Sequence, residues 1–253
     1  MAIQVQRGRA SGGGPGRFRQ QREHADLVRA ALGGCSLFAA LPAERFEAVV
    51  AASGAATFAR RERLSPQTGE PERVHVVASG RVRVARPVGR DKSLTVAYRE
   101  PGELLGETAL AASSRYRTIA VAVEPVEAVQ IPLGTMKELL LESAQFSRSM
   151  LELMVARRID AERRVQSLLS GSVESRVAEL LLDAAERNGV PDARGVLVGA
   201  RYTHQEIADY VGSTRETVTL TLGEMRRKQL LTFDHRRIVL LRPETLRSQL
   251  DEG

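Results

Sequence analysis

Cysteine is almost absent: Cys35 stands alone in 253 residues, which excludes an internal disulfide and any iron-sulfur cluster held by several thiolates. Tryptophan is missing altogether and histidine occurs only four times, scattered. Neither a metal-ligand spacing nor a nucleophile elbow nor a glycine-rich nucleotide loop is present, so the sequence argues against an enzyme and against a metal site. No apolar run approaches the ~20 residues that span a bilayer. The N-terminus is basic and glycine-rich and lacks the apolar segment of a secretory signal. These absences point to a cytoplasmic protein with no membrane partner.

Positive charge is in excess, at net +6, and a basic balance favours a polyanionic partner. Its distribution is uneven. From Gly171 onward twelve Lys and Arg face thirteen Asp and Glu, so the C-terminal third is close to neutral. The excess lies in Arg7, Arg9, Arg17, Arg19 and Arg22 and in Arg148, Arg157, Arg158, Arg163 and Arg164. Residues 1–23, with Gly12-Gly13-Gly14-Pro15-Gly16 among arginines, have too little apolar surface to fold alone and read as a disordered basic tail.

From His24 to about Ala52 two short helices are expected, with Pro42 at a helix start. Between Ala55 and Leu133 short β-branched runs alternate with turns: Val74–Val77, Arg81–Val84, Leu94–Tyr98, Thr118–Val121 and Ala128–Ile131. That spacing predicts an antiparallel barrel or jelly roll over 24–133. His75, inside one of these runs, reads as a packed histidine. From Gly134 to about Ser170 neither proline nor glycine interrupts, and Phe146, Met150, Leu153, Met154 and Arg157 recur at helical steps. A helix of ~50 Å protrudes from a small domain, and pairing with a second copy would bury its apolar stripe. Residues 134–170 are therefore expected to be a dimerisation helix, with those five residues at the interface.

The stretch Arg201–Lys228, RYTHQEIADYVGSTRETVTLTLGEMRRK, reads as two short helices joined by a glycine turn. Thr203 to Glu206 and Ser213 to Glu216 both fit the capping-box pattern at a helix start. Gly212 falls between them, where a left-handed backbone is cheap only for glycine. Ile207 and Val211 give the first helix an inner stripe, and Val218, Leu222 and Met225 do the same for the second. Arg215, Glu216 and Thr219 are left facing outward near the second helix's start, where a recognition helix meets base edges. Leu230–Phe233 and Ile238–Leu241, separated by Asp234-His235-Arg236-Arg237, add a β-hairpin. Residues 171–253 thus read as a winged helix-turn-helix that binds double-stranded DNA, and the whole chain as α+β.

One further segment suggests a ligand. Gly106-Glu107 opens a short helical turn, Thr108 to Ala112, whose amides would face an anion. Arg117 and Thr118 follow at the start of a strand. An arginine opposite such a turn makes a phosphate site, and Glu107 beside it suits a sugar hydroxyl.

In this order the parts resemble the cyclic-AMP receptor (Crp-Fnr) family of bacterial transcription regulators, over about Gly34 to Leu241. GETALAASSRYRTIAV is similar to the family's phosphate-binding cassette and QEIADYVGSTRETV to its DNA-binding signature. The resemblance implies a β-roll of the cyclic-nucleotide-binding type and a homodimer acting on palindromic DNA together with RNA polymerase. It implies no required cofactor, but an effector such as cyclic AMP or another cyclic nucleotide. Gly106 and Glu107 would then serve the ribose, and Arg117 and Thr118 the phosphate. Arg215 and Glu216 would read a G·C pair, and Gln205 and Thr217 would hold phosphates, with Thr203, Thr214 and Thr219 on the same DNA-facing surface. The sequence departs from the family at Ala161-Glu162-Arg163-Arg164, where the receptors offer a Thr-Ser pair to adenine, and at Leu220, where they place a second base-reading arginine. Either the ligand carries another base, as cyclic di-GMP would, or it lies elsewhere, or the protein needs none.

Overall fold

The computed structural model describes residues 15–64, 72–88, 92–111 and 118–251. The chain divides into two compact units, 1–83 with 98–150 and 84–97 with 151–253.

Helix α1, Pro15–Gly33, begins inside the segment expected to be disordered, so that expectation fails for residues 15–23; residues 1–14 lie outside the described ones. The reason is local: Val28 and Leu32 are fully buried, and the helix extends N-terminally from that anchored end. His24 Nε2 accepts from the Ala55 amide at 2.8 Å and fastens α1 to the first strand. Helix α2 is Ala43–Ala52, with Pro42 at its N-cap.

The strands between Gly54 and Pro132 follow the alternation in the sequence. Strands β1 (Gly54–Phe58), β2 (Arg73–Ser79), β5 (Leu104–Leu105) and β7 (Val126–Pro132) form one antiparallel sheet in the order β1-β7-β2-β5. Strands β3 (Val82–Val88), β4 (Lys92–Arg99) and β6 (Ile119–Ala122) form a second, ordered β4-β3-β6. In the first unit Val77, Val82, Leu105, Ala120, Ala122, Val126 and Ala128 close a common core. Gly80, at φ +78°, has its Cα so near the Pro125 carbonyl that a Cβ would sit 2.2 Å from the oxygen; only glycine fits that turn.

The single helix expected over 134–170 is two helices, α3 (Leu133–Glu142) and α4 (Ala144–Ser170). Ser143 breaks them apart: its backbone is extended, at φ −122° and ψ 103°, and its hydroxyl accepts from the Phe146 amide at 3.2 Å. A serine hydroxyl competes with the helix for backbone donors and so favours a cap over a helix interior.

The second unit contains α5 (Val173–Asn188), the hairpin β8 (Val190–Asp192) and β9 (Gly195–Leu197), α6 (His204–Val211), α7 (Arg215–Arg227), the hairpin β10 (Leu231–Asp234) and β11 (Arg237–Leu240), and α8 (Pro243–Asp251). Its sheet order is β10-β11-β9-β8. Leu181, Ile207, Val218, Leu222, Met225, Leu231 and Leu240 are among the side chains closing the core. Among the described residues no helix is long and apolar enough to cross a membrane.

Candidate DNA-reading and ligand sites

Helix α6 starts on a reciprocal capping box. The Thr203 hydroxyl accepts from the Glu206 amide at 3.1 Å, and the Thr203 amide donates to the Glu206 carboxylate at 2.7 Å. Gly212 adopts the left-handed conformation expected of it, φ 65° and ψ 46°. The second box is shifted by one residue from the sequence expectation. Thr214, and not Ser213, is the N-cap of α7, and its hydroxyl accepts from the Thr217 amide at 3.2 Å. Position N3 is thus Thr217, which carries no carboxylate to complete the box, and Glu216 remains exposed.

This shift sorts the candidate DNA contacts. Thr203 and Thr214 spend their hydroxyls on the caps, while Arg215 and Glu216 stand exposed in the first turn of α7. The Thr219 hydroxyl donates to the Arg215 carbonyl at 2.8 Å and lies 2.7 Å from His204 Nδ1. Gln205 Nε2 donates to the Asp209 carboxylate at 2.7 Å, and Thr217 is half-buried with its hydroxyl 2.9 Å from that of Thr214.

The two hairpins of the second unit are tied by Arg194. Its Nε lies 2.8 Å from Asp192 and its Nη2 2.5 Å from Asp234. Hydrogen bonds from Arg194 hold the Asp192 carboxyl down at about 2 and also lower that of Asp234. The wing turns through His235 and Arg236 at φ 45° and 67°, the backbone of a tight two-residue hairpin. The sequence marked Asp234 to Arg237 as the hairpin turn, but Asp192 and Arg194 did not stand out, because an Asp-Arg pair in a turn looks like any solvated charge.

A clamp at Arg164 was equally invisible. From α4 its guanidinium donates to the Val96 carbonyl on β4 at 2.5 Å and to the Tyr210 carbonyl on α6 at 2.7 Å. The guanidinium carbon also sits 4.0 Å from the centre of the Tyr210 ring. Burial pushes the Tyr210 phenol up, with the Arg164 charge opposing it.

In the first unit two of the ligand candidates, Gly106 and Glu107, directly follow β5. Gly106 has φ +88°, and the short 3-10 turn spans Glu107–Leu110 rather than Thr108–Ala112. Glu107 and Thr118 are both half-buried. Ala112 and Arg117 lie outside the described residues. His75 is buried beneath Gly106, its Nε2 3.3 Å from the Gln130 amide nitrogen and its ring edge-on to Phe58. Burial, and secondarily the Arg73 charge, lower its pKa to about 4, so the ring is neutral at physiological pH. It is the packed histidine that the sequence suggested.

The expected dimer interface needs correction. Phe146 is 1% exposed, with its ring 5.6 Å from that of Phe38, and Met150 is 7% exposed. Both are already buried within their own protomer and are unavailable to a partner. Leu153, Met154 and Arg157 are half-buried. The exposed large apolar residues of α4 are Leu151, Val155, Ile159, Val165 and Leu169.

Known proteins show the same two parts. Residues 56–143 match the cyclic nucleotide-binding domain and residues 175–249 the Crp-like helix-turn-helix domain. The global nitrogen regulator of Nostoc sp. is 30% identical over 76% of this chain and 87% of its own length. The CRP-like cAMP-activated global transcriptional regulator of Mycobacterium tuberculosis is 26% identical over 70% and 80% respectively. The structure of FixK2 from Bradyrhizobium japonicum, at 22% identity, has a TM-score of 0.68 over 78% of this chain and 96% of that one, a likeness of fold. Fold and matches together define a DNA-binding transcription regulator with a cyclic-nucleotide-binding-type domain. The chain belongs to the Crp-Fnr family.

Proposed function

We propose that the protein is a homodimer that reads a palindromic site through α7 and takes an anionic effector, a cyclic nucleotide, in the β-roll. The observation that carries the dimer is the exposed run Leu151, Val155, Arg158, Glu162, Val165 and Leu169. Its alternating four- and three-residue steps are those of a two-stranded seam. Acting in the cytoplasm, such a dimer would bind rather than catalyse, and at a promoter its further partner would be RNA polymerase.

Arg215 and Glu216 suit a G·C pair, arginine through guanine N7 and O6 and glutamate through cytosine N4. Arg215→Ala is expected to cost roughly 1–3 kcal/mol on a selected site and to relax preference at one base pair. Equal loss on selected and random DNA would reduce Arg215 to a phosphate contact.

For the effector, the support is the left-handed Gly106 followed by half-buried Glu107, within the cassette whose Arg117 matches the phosphate ligand of the family. Calorimetric titration with cyclic AMP, cyclic GMP and cyclic di-GMP tests this. Arg117→Ala should raise the dissociation constant of the nucleotide that binds by one to two orders of magnitude, roughly 1.5–3 kcal/mol for a charge-assisted bond. A second reading, a regulator that needs no ligand, is favoured by one observation. Glu162, where the receptors offer a hydroxyl to adenine, is engaged by Arg158 at 2.9 Å. Tight promoter binding without nucleotide, unchanged by Arg117→Ala, would decide for it.

A further inference from the structure

Helix α7 buries Val218, Leu222 and Met225 and turns its other side to solvent. Along that open side the chemistry changes and then changes back. Arg215 and Glu216 occupy the first turn, and Glu224, Arg226 and Arg227 the last, all exposed, with Glu224 paired to Arg227. Between them lie Thr219, Leu220 and Gly223, at the steps of three and four residues that keep a helix row in line. Leu220 is 72% exposed. A single exposed leucine is ordinary on a protein surface, but its two neighbours make this place unusual. The Thr219 hydroxyl has given its proton to the Arg215 carbonyl and meets the His204 ring, so its methyl is the group left for a partner. Gly223 has nothing within 4 Å of where a Cβ would stand, and a glycine mid-helix costs about 1 kcal/mol relative to alanine. The middle of the helix is therefore smooth and apolar, with charge at both ends.

Given that α7 is the recognition helix of the function proposed above, we propose that Leu220 selects a T·A pair by packing on the thymine C5-methyl group. In the major groove that methyl is the one apolar feature a base pair displays, and aliphatic side chains pair with it. A hydrogen-bonding base edge set against Leu220 would lose water and gain no partner, which penalises the other bases. Leu220 is five residues beyond Arg215, ~7.5 Å along the helix axis, so its T·A pair lies within about two base-pair steps of the pair that Arg215 meets. The smooth surface at Gly223 lets the helix approach the base edges without a side chain intervening.

The test needs no knowledge of the natural promoter. The full-length protein, with and without the three cyclic nucleotides, selects a site from random duplex DNA. Each thymine of that site is then replaced by uracil, which deletes the methyl group and leaves every hydrogen-bonding group in place. For the unmodified protein, one uracil in a single half-site should weaken binding about fourfold, the factor for roughly 0.8 kcal/mol per buried carbon group, and the same uracil in both half-sites about fifteenfold. In Leu220→Ala, at an exposed position where alanine favours the helix, the same uracil should make no difference. Leu220→Arg should exchange the preferred T·A for G·C at that position. An enriched site indifferent to uracil, or a uracil penalty that persists in Leu220→Ala, overturns the role of Leu220 and leaves DNA reading by α7 standing. Failure to enrich any sequence overturns the recognition-helix reading and this inference with it.

Discussion

Leu151→Asp combined with Val155→Asp is expected to leave a folded monomer. Both side chains are exposed in the protomer, at 64% and 46%, so the substitutions do not disturb its core. In a paired helix the four side chains from two copies would leave water, each contributing about 1–2 kcal/mol. Aspartates in their place would face each other across a desolvated seam, which adds a penalty of its own. The dimerisation constant should fall by at least about a thousandfold. Sedimentation velocity at micromolar concentration reads this directly, and binding to a two-half-site duplex should collapse toward that of a single half-site. Met150→Asp distinguishes this seam from the one the sequence suggested, because Met150 is in the protomer's core and its replacement should unfold the first unit instead. An unmodified protein that sediments as a monomer, or a Leu151/Val155 variant that remains a dimer, would sink the proposal.

Arg164→Ala should produce the second large effect, on the second unit. Two bonds from a charged donor to backbone carbonyls contribute roughly 1.5–3 kcal/mol each, and stacking on Tyr210 adds about 0.5–2 kcal/mol. One of the bonds lies in solvent, so a net loss of about 2–4 kcal/mol is reasonable once screening is allowed for. The α6 backbone around Tyr210 should exchange its amide hydrogens faster, and β2 and β7, which belong to the first unit, should not change. Arg164→Lys should not restore protection, because a single ammonium cannot span both carbonyls and stack on a ring as a planar guanidinium does. Exchange in α6 identical to that of the unmodified protein would refute the clamp.

What the sequence revealed depended on range. Strands β2, β3, β4, β6 and β7 were legible because alternation is written into adjacent residues, and α6 because Thr203 and Glu206 cap each other three positions apart. The three-residue strands β8 and β9 are too short to carry a period. The break at Ser143 was hidden because LESAQF reads as unbroken helix, and a serine declares itself a cap only once its hydroxyl has a donor. The dimer stripe was misassigned for a related reason. Phe146 and Met150 share a helical period with Leu153, Met154 and Arg157, and periodicity cannot distinguish a side that meets its own core from one that meets a partner. Arg164 could not be distinguished from its neighbour Arg163 by any local rule, since Val96 and Tyr210 approach it from 68 and 46 residues away.

The pairing of Arg158 with Glu162 in the middle of the exposed run has a consequence for fidelity. A cell that holds several related regulators must keep their subunits from mixing. Two identical helices set together would place a rung of alternating charge at the centre of the seam, where each cation finds an anion on its own helix and another across the junction. A foreign subunit offering alkyl or hydroxyl groups there would strand all of that charge away from water, at a cost that purely apolar seams never impose. In the proposed dimer the rung would give up some binding strength and in return favour pairing with the protein's own copy.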